Sequence, residues 1–217
     1  MPNIFPKSAN SMPLKAFAIF VLVIGSGFAF IYYYLNPAYM RLGYAPIQPV
    51  AFSHAIHAGQ LGIDCRYCHT GVEKSATASV PDAKTCMSCH SIVKTDSPAL
   101  EPVRQAFKTG EPLRWTKVHQ LPDYVYFNHA VHVNRGVSCV ECHGPVNKLD
   151  VISQQKPLSM QFCLDCHRAP ENALRPLDKV TNLDWKLPTV EQQKESGAKF
   201  VHDWKVLPPQ SCSGCHR

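Results

Sequence analysis

The stretch FSHAIHAGQLGIDCRYCH, residues 52–69, decides how this chain is read. It closes on a Cys-x-x-Cys-His (65–69) and carries a His-x-x-His (54–57) upstream. The closing pattern returns as CMSCH (86–90), CVECH (139–143), CLDCH (163–167) and CSGCH (212–216), which uses all ten cysteines. A single Cys-x-x-Cys suits a zinc half-site, a redox dithiol or chance. Neither zinc nor a disulfide requires a histidine directly after the second cysteine, and here every pair has one. Repeated in this way, the pattern is the signature of covalent haem c attachment. Cys65, Cys68, Cys86, Cys89, Cys139, Cys142, Cys163, Cys166, Cys212 and Cys215 are the expected thioether anchors of five haems. His69, His90, His143, His167 and His216 are the expected ligands on one face of each iron.

Six histidines remain: His54, His57, His119, His129, His132 and His202. Their placement exposes an internal repeat. FNHAVHVNRGVSCVECH (127–143) has the order of the opening stretch: Phe, one residue, His, two residues, His, a loop, a haem motif. Each copy is followed by a second haem motif. A third, partial copy is FVHDWKVLPPQSCSGCH (200–216), where Phe200-x-His202 lies ten positions before Cys212. Histidines three apart on a helix project about 60° apart, so His54 and His57 are expected to serve two different haems, as are His129 and His132. His202 is expected to ligate by the same spacing. His119 belongs to no repeat, and Met160 stands three residues before Cys163; either suits a sixth position, methionine with a raised potential. Seven side chains thus compete for five positions, and His119 against Met160 stays open.

Ala16 to Leu35 runs twenty residues without a charge, the length at which a helix spans a hydrocarbon core of roughly 30 Å. Tyr32, Tyr33 and Tyr34 close it where an aromatic belt sits. A cleaved signal peptide has a shorter apolar region and a small-residue cleavage site, so an uncleaved anchor is expected. The domain plan is a cytoplasmic segment (1–14), a transmembrane anchor (15–36) and a periplasmic haem domain (37–217). The last holds two-haem units at 52–90 and 127–167 and a half unit at 200–216. Haem c is attached outside the cytoplasmic membrane, which puts the N-terminus inside. The formal charge of +6 is more than offset by the propionates of five haems, so a nucleic-acid partner is not expected.

Residues 37–217 offer too little chain for an ordinary apolar core around each cofactor. The expected fold is mainly α with much irregular structure, packed around the haems. One helix is predicted over 97–110, with Ser97 as cap, Pro98 at the first position and Gly110 as the stop. Another is predicted from Thr189, where TVEQ gives a capping-box pattern. Candidate ligands outnumber the irons, which favours an electron carrier over a reductase with an open iron, and no catalytic residue is assigned.

The stretches QPVAFSHAIHAGQLGIDCRYCH, WTKVHQLPDYVYFNHAVHV, CVECHGPV and PLSMQFCLDCHR resemble the pentahaem cytochrome c subunit of bacterial alternative complex III, over nearly the whole chain. That resemblance implies an electron-transfer subunit of a quinol:electron-acceptor oxidoreductase. The implied partners are an iron–sulfur subunit, polytopic quinol-binding subunits and a monohaem cytochrome c. It also implies His54, His57, His129 and His132 as ligands, and does not decide between His119 and Met160. The rival expectations are a stand-alone membrane-anchored quinol dehydrogenase and a multihaem reductase with one open haem.

Overall fold

The computed structural model describes residues 6–216. The first five residues of the expected cytoplasmic segment, and Arg217, lie outside the described residues. The chain divides into two compact units, 1–40 and 41–217.

In the first unit, α1 (Met12–Phe30) continues through a π-helical turn, Ile31–Leu35. The helical run Ser8–Leu35 has a mean hydropathy of 2.3 over its most apolar window and buries none of it. It is the one helix among the described residues long and apolar enough to cross a membrane. Its apolar residues encircle the axis instead of forming a stripe, the pattern of a helix made for an apolar surround.

The second unit is short helices joined by irregular chain. They are α2 (Cys65–Cys68), α3 (Ala83–His90), α4 (Glu101–Thr109), α5 (His129–Val133), α6 (Cys139–His143), α7 (Met160–Arg168), α8 (Val190–Asp203) and α9 (Cys212–Cys215). Among the described residues there is no strand, only the antiparallel bridges Val125–His216 and Val137–Leu174. The fold class read from the sequence is thus met.

Buried apolar side chains are few and small. The cluster Val50, Ala83, Val103 and Ala106 packs α3 on α4, with Cys86, Met87 and Trp115 at its rim. Leu174, Gln154, Val103 and Ser138 are the largest fully buried side chains. A unit of this length normally encloses a larger core, and so small a one suits the expectation of chain packed around cofactors.

Two predicted helices differ in detail. Pro98–Leu100 is a 3₁₀ turn, α4 begins only at Glu101, and the Ser97 side chain makes no cap hydrogen bond. Pro102 explains the break, because it brings no N–H to the helical ladder. Gly110 ends α4 in the left-handed conformation (φ +78°), as predicted. Thr189 caps α8 by accepting from Gln192 N at 3.2 Å. Gly197 lets α8 lie on the 3₁₀ turn Pro170–Asn172, since a Cβ there would stand 2.0 Å from Glu171 O.

Candidate functional site

Each Cys-x-x-Cys occupies one helical turn, and the i, i+3 spacing sets both sulfurs on one face. The five turns are started in two ways. Asp64 precedes Cys65 directly and accepts from Arg66 N at 2.8 Å, capping α2. In α3 and α7 the caps Asp82 and Ser159 stand four residues before the first cysteine and accept from Thr85 N and Phe162 N. First motifs of each unit are therefore bare turns, and second motifs close longer helices.

Seven imidazoles hold the same hydrogen bond. Nδ1 meets a backbone oxygen in His57 (Ser53, 2.8 Å), His69 (Ser79, 2.8 Å), His90 (Val93, 3.0 Å), His129 (Ala76, 2.8 Å), His132 (Asn128, 2.8 Å), His167 (Pro209, 2.7 Å) and His216 (Tyr124, 3.2 Å). A carbonyl only accepts, so Nδ1 must carry the hydrogen, and the Nε2 lone pair is left for a metal. Burial lowers the pKa of His54 to about 4 and of His143 to about 3, with neighbouring histidines adding to the effect. Burial also lowers His119 and His132. These rings are neutral at pH 7, the form that ligates.

The pairing follows the repeat. His57 and His90 stand 6.1 Å apart between ring centres, and His132 and His167 also 6.1 Å. His129 and His143 stand 6.3 Å apart with planes 8° from parallel. Two metal–nitrogen bonds of about 2 Å, with the imidazoles bound through Nε2, set ring centres about 6 Å apart. These three pairs therefore fit an iron between them. The first histidine of the second unit faces that unit's first motif, and the second histidine of each unit faces its second motif. His54 is the counterpart of His129 in the repeat, and His69 is among the imidazoles near it.

A phenylalanine sets each His-x-x-His. Phe52 meets His54 edge-on at 4.9 Å and stacks on His57 at 4.3 Å; Phe127 meets His129 at 4.8 Å and His132 at 4.5 Å, with interplanar angles alike to within a few degrees. The recurring Phe was visible in the sequence, but its role as a wedge between two imidazoles was not. The third copy departs from this pattern. Phe200 stacks on Trp204 at 4.3 Å, while His202 is 89% exposed and bonds Asp203. Met160 is exposed at the start of α7. His119 packs edge-on to His143 at 4.3 Å, too close for an iron between those two rings.

Polar atoms around the histidines also fit a haem. Arg41 Nε, Trp115 Nε1, His54 Nδ1 and His119 Nε2 are buried without a protein partner. Buried polar atoms are ordinarily hydrogen-bonded, and propionates are acceptors of the required kind for the Arg41 and Trp115 donors. No motif spacing marks Arg41, and Trp115 is marked only as the first residue of a stretch that carries the resemblance. The cysteines are unpaired as thiols, so no disulfide competes with attachment.

Comparison with known proteins follows the same division. A family model described as cytochrome c552 matches residues 109–207, and one described as cytochrome c7 and related cytochrome c matches residues 50–106. The menaquinone reductase multihaem cytochrome c subunit of Nitratidesulfovibrio vulgaris is 34% identical over 181 residues, covering 78% of this chain and 77% of that protein. A cytochrome c-552 of Parabacteroides distasonis is 32% identical over 96 residues, 39% of this chain and 19% of the relative. One from Bacteroides fragilis is 40% identical over 63 residues, 26% of this chain and 13% of the relative.

Proposed function

Because the chain belongs to the multihaem cytochrome c family, we propose that it relays electrons through five covalent haems c within a membrane quinol:electron-acceptor oxidoreductase. The observation that carries this is the spacing of the histidine pairs His57–His90, His132–His167 and His129–His143. Filled axial positions suit a carrier, because substrate chemistry at iron needs an open one.

Haem supplies one-electron chemistry when bound. The chain's own residues do the rest. The ten cysteines would anchor the macrocycles, and His69, His90, His143, His167 and His216 would each hold one iron. His54, His57, His129 and His132 would supply the second ligand of four of them. For the fifth iron, His119, His202 and Met160 remain the candidates, of which His202 and Met160 are turned to solvent and His119 is half-buried. Backbone oxygens of Ser79, Val93, Pro209 and Tyr124 hold the Nδ1 hydrogens and so fix ring orientation and raise ligand basicity.

The helical run Ser8–Leu35 is the anchor in this reading, with the N-terminus cytoplasmic and residues 37–217 periplasmic. The finer assignment is the pentahaem subunit of an alternative complex III. Its partners would be an iron–sulfur subunit, polytopic quinol-binding subunits and a monohaem cytochrome c as the way to a periplasmic acceptor. A second reading reverses the flow: the relative from Nitratidesulfovibrio vulgaris is a menaquinone reductase subunit, which favours electrons passing to quinone.

The test is made on the haem-loaded protein in membranes. Pyridine haemochrome analysis should return five haems c per chain. Menaquinol should reduce them, and a periplasmic cytochrome c should reoxidise them. Reduction by an external donor with transfer to menaquinone, and not the reverse, would select the second reading. Fewer than five haems, or no exchange with either quinone form, would sink both.

A further inference from the structure

The two copies of the repeat grip one another reciprocally. Ala55 N donates to Leu149 O at 3.0 Å, and Ala130 N donates to Ser75 O at 3.1 Å. Ala55 and Ala130 are the same position of the repeat, each directly after the first histidine of its His-x-x-His. Leu149 and Ser75 are also equivalent, each six residues after a motif histidine, His143 and His69. Where i contacts j and the equivalent of j contacts the equivalent of i, the parts are related by a two-fold axis. The chain just after the first motif also meets the histidine that faces the third: His129 Nδ1 donates to Ala76 O at 2.8 Å, and the His129 ring stands 6.3 Å from His143.

Within each copy the first and second motifs are neighbours. The His-x-x-His of each copy makes that link: His57 stands 6.1 Å from His90, and His129 and His132 stand 6.3 Å and 6.1 Å from His143 and His167. The fifth motif attaches beyond the fourth. His167 Nδ1 donates to Pro209 O at 2.7 Å, and Gln210 Nε2 donates to His167 O at 3.4 Å. Exposure agrees with this layout: of the ten cysteines only Cys89 and Cys212, in the second and fifth motifs, are exposed.

We infer that the five motifs lie in space in the order second, first, third, fourth, fifth, with the motifs at Cys86 and Cys212 as the two ends at which electrons are exchanged with partners. The inference rests on the electron-relay reading above. The duplication explains the order: head-to-head copies place first motifs at the centre and send second motifs outward. Chain order would instead put the Cys65 motif at an end.

The test counts neighbours. A haem's midpoint responds to the charge of adjacent haems, and that influence fades with distance. In the haem-loaded full chain, Cys86→Ala/Cys89→Ala removes the second haem, and stepwise titration followed by EPR reads the remaining four. One midpoint should shift. Cys212→Ala/Cys215→Ala should likewise shift one, and Cys139→Ala/Cys142→Ala should shift two. Two shifts, or none, on losing the second haem would overturn the order. If the central variant fails to accumulate, the two end variants decide alone. Failure of the relay reading is visible separately, as unsubstituted protein whose midpoints titrate but which exchanges no electrons with quinone.

Discussion

His132 and His167 face each other across 6.1 Å, ring centre to ring centre, although 34 residues separate them, and His57 and His90 repeat that distance in the other copy. Removing one member should open one iron. His57→Ala is expected to add a carbon monoxide-sensitive fraction of about one-fifth of the Soret intensity in the dithionite-reduced protein. His202→Ala should leave the carbon monoxide difference spectrum as it is in the unsubstituted chain, because that ring faces water and bonds Asp203. A new open iron in His202→Ala would make it the fifth distal ligand.

Phe127 touches both His129 and His132, which the proposed ligation assigns to two different irons. Phe127→Leu keeps the volume nearly intact but loses the flat face that sets both rings. We expect full haem content with two low-spin EPR signals altered together. Aromatic contacts of this kind are each worth about 0.5–1.5 kcal/mol beyond burial, so the midpoint of thermal unfolding should fall only modestly. An unchanged EPR spectrum would mean that the backbone bonds to Nδ1 orient the rings unaided.

Gly197→Ala tests the seating of α8. The added methyl would stand 2.0 Å from Glu171 O, a backbone atom that cannot swing away. Overpacking of this type costs about 1–3 kcal/mol, and it would also disturb the Gln193 amide bonds to Glu171 O and Leu174 O. Chemical denaturation of the haem-loaded protein should show the loss. Alanine tolerated without cost would show that α8 shifts freely.

Asp64 caps α2, pairs with Arg66 and accepts from Thr181, and its pKa is held down at about 2, chiefly by the hydrogen bond from Arg66. A carboxylate with a depressed folded pKa stabilises fully above its unfolded value of about 4 and loses that contribution as pH falls through about 2. Asp64→Asn keeps an oxygen to cap α2 and should therefore cost up to about 1 kcal/mol at pH 7, the size of a solvent-screened ion pair. Acid titration of both proteins should find the gap closing between pH 4 and pH 2. A gap independent of pH would assign the effect to hydrogen bonding alone.

The readable part of this protein is the part written within one or two helical turns. The five motifs, the His-x-x-His pairs and the span from Ala16 to Leu35 are spacing patterns, and spacing alone places two cysteines and a histidine on one face of a helix. The caps Asp64, Asp82, Ser159 and Thr189 are local for the same reason. Partnership between distant segments is not local. His129 bonds a carbonyl 53 residues away, and Thr181 reaches Asp64 across 117. Ring spacing, the reciprocal bonds of Ala55 and Ala130, and the outward turn of His202 are all set by packing of chain that is remote in sequence. Residue order was enough to say which side chains can hold haem and where a membrane anchor can lie. Which histidine faces which motif emerged from the folded chain, because that depends on how the duplicated units close around a two-fold axis that no spacing records.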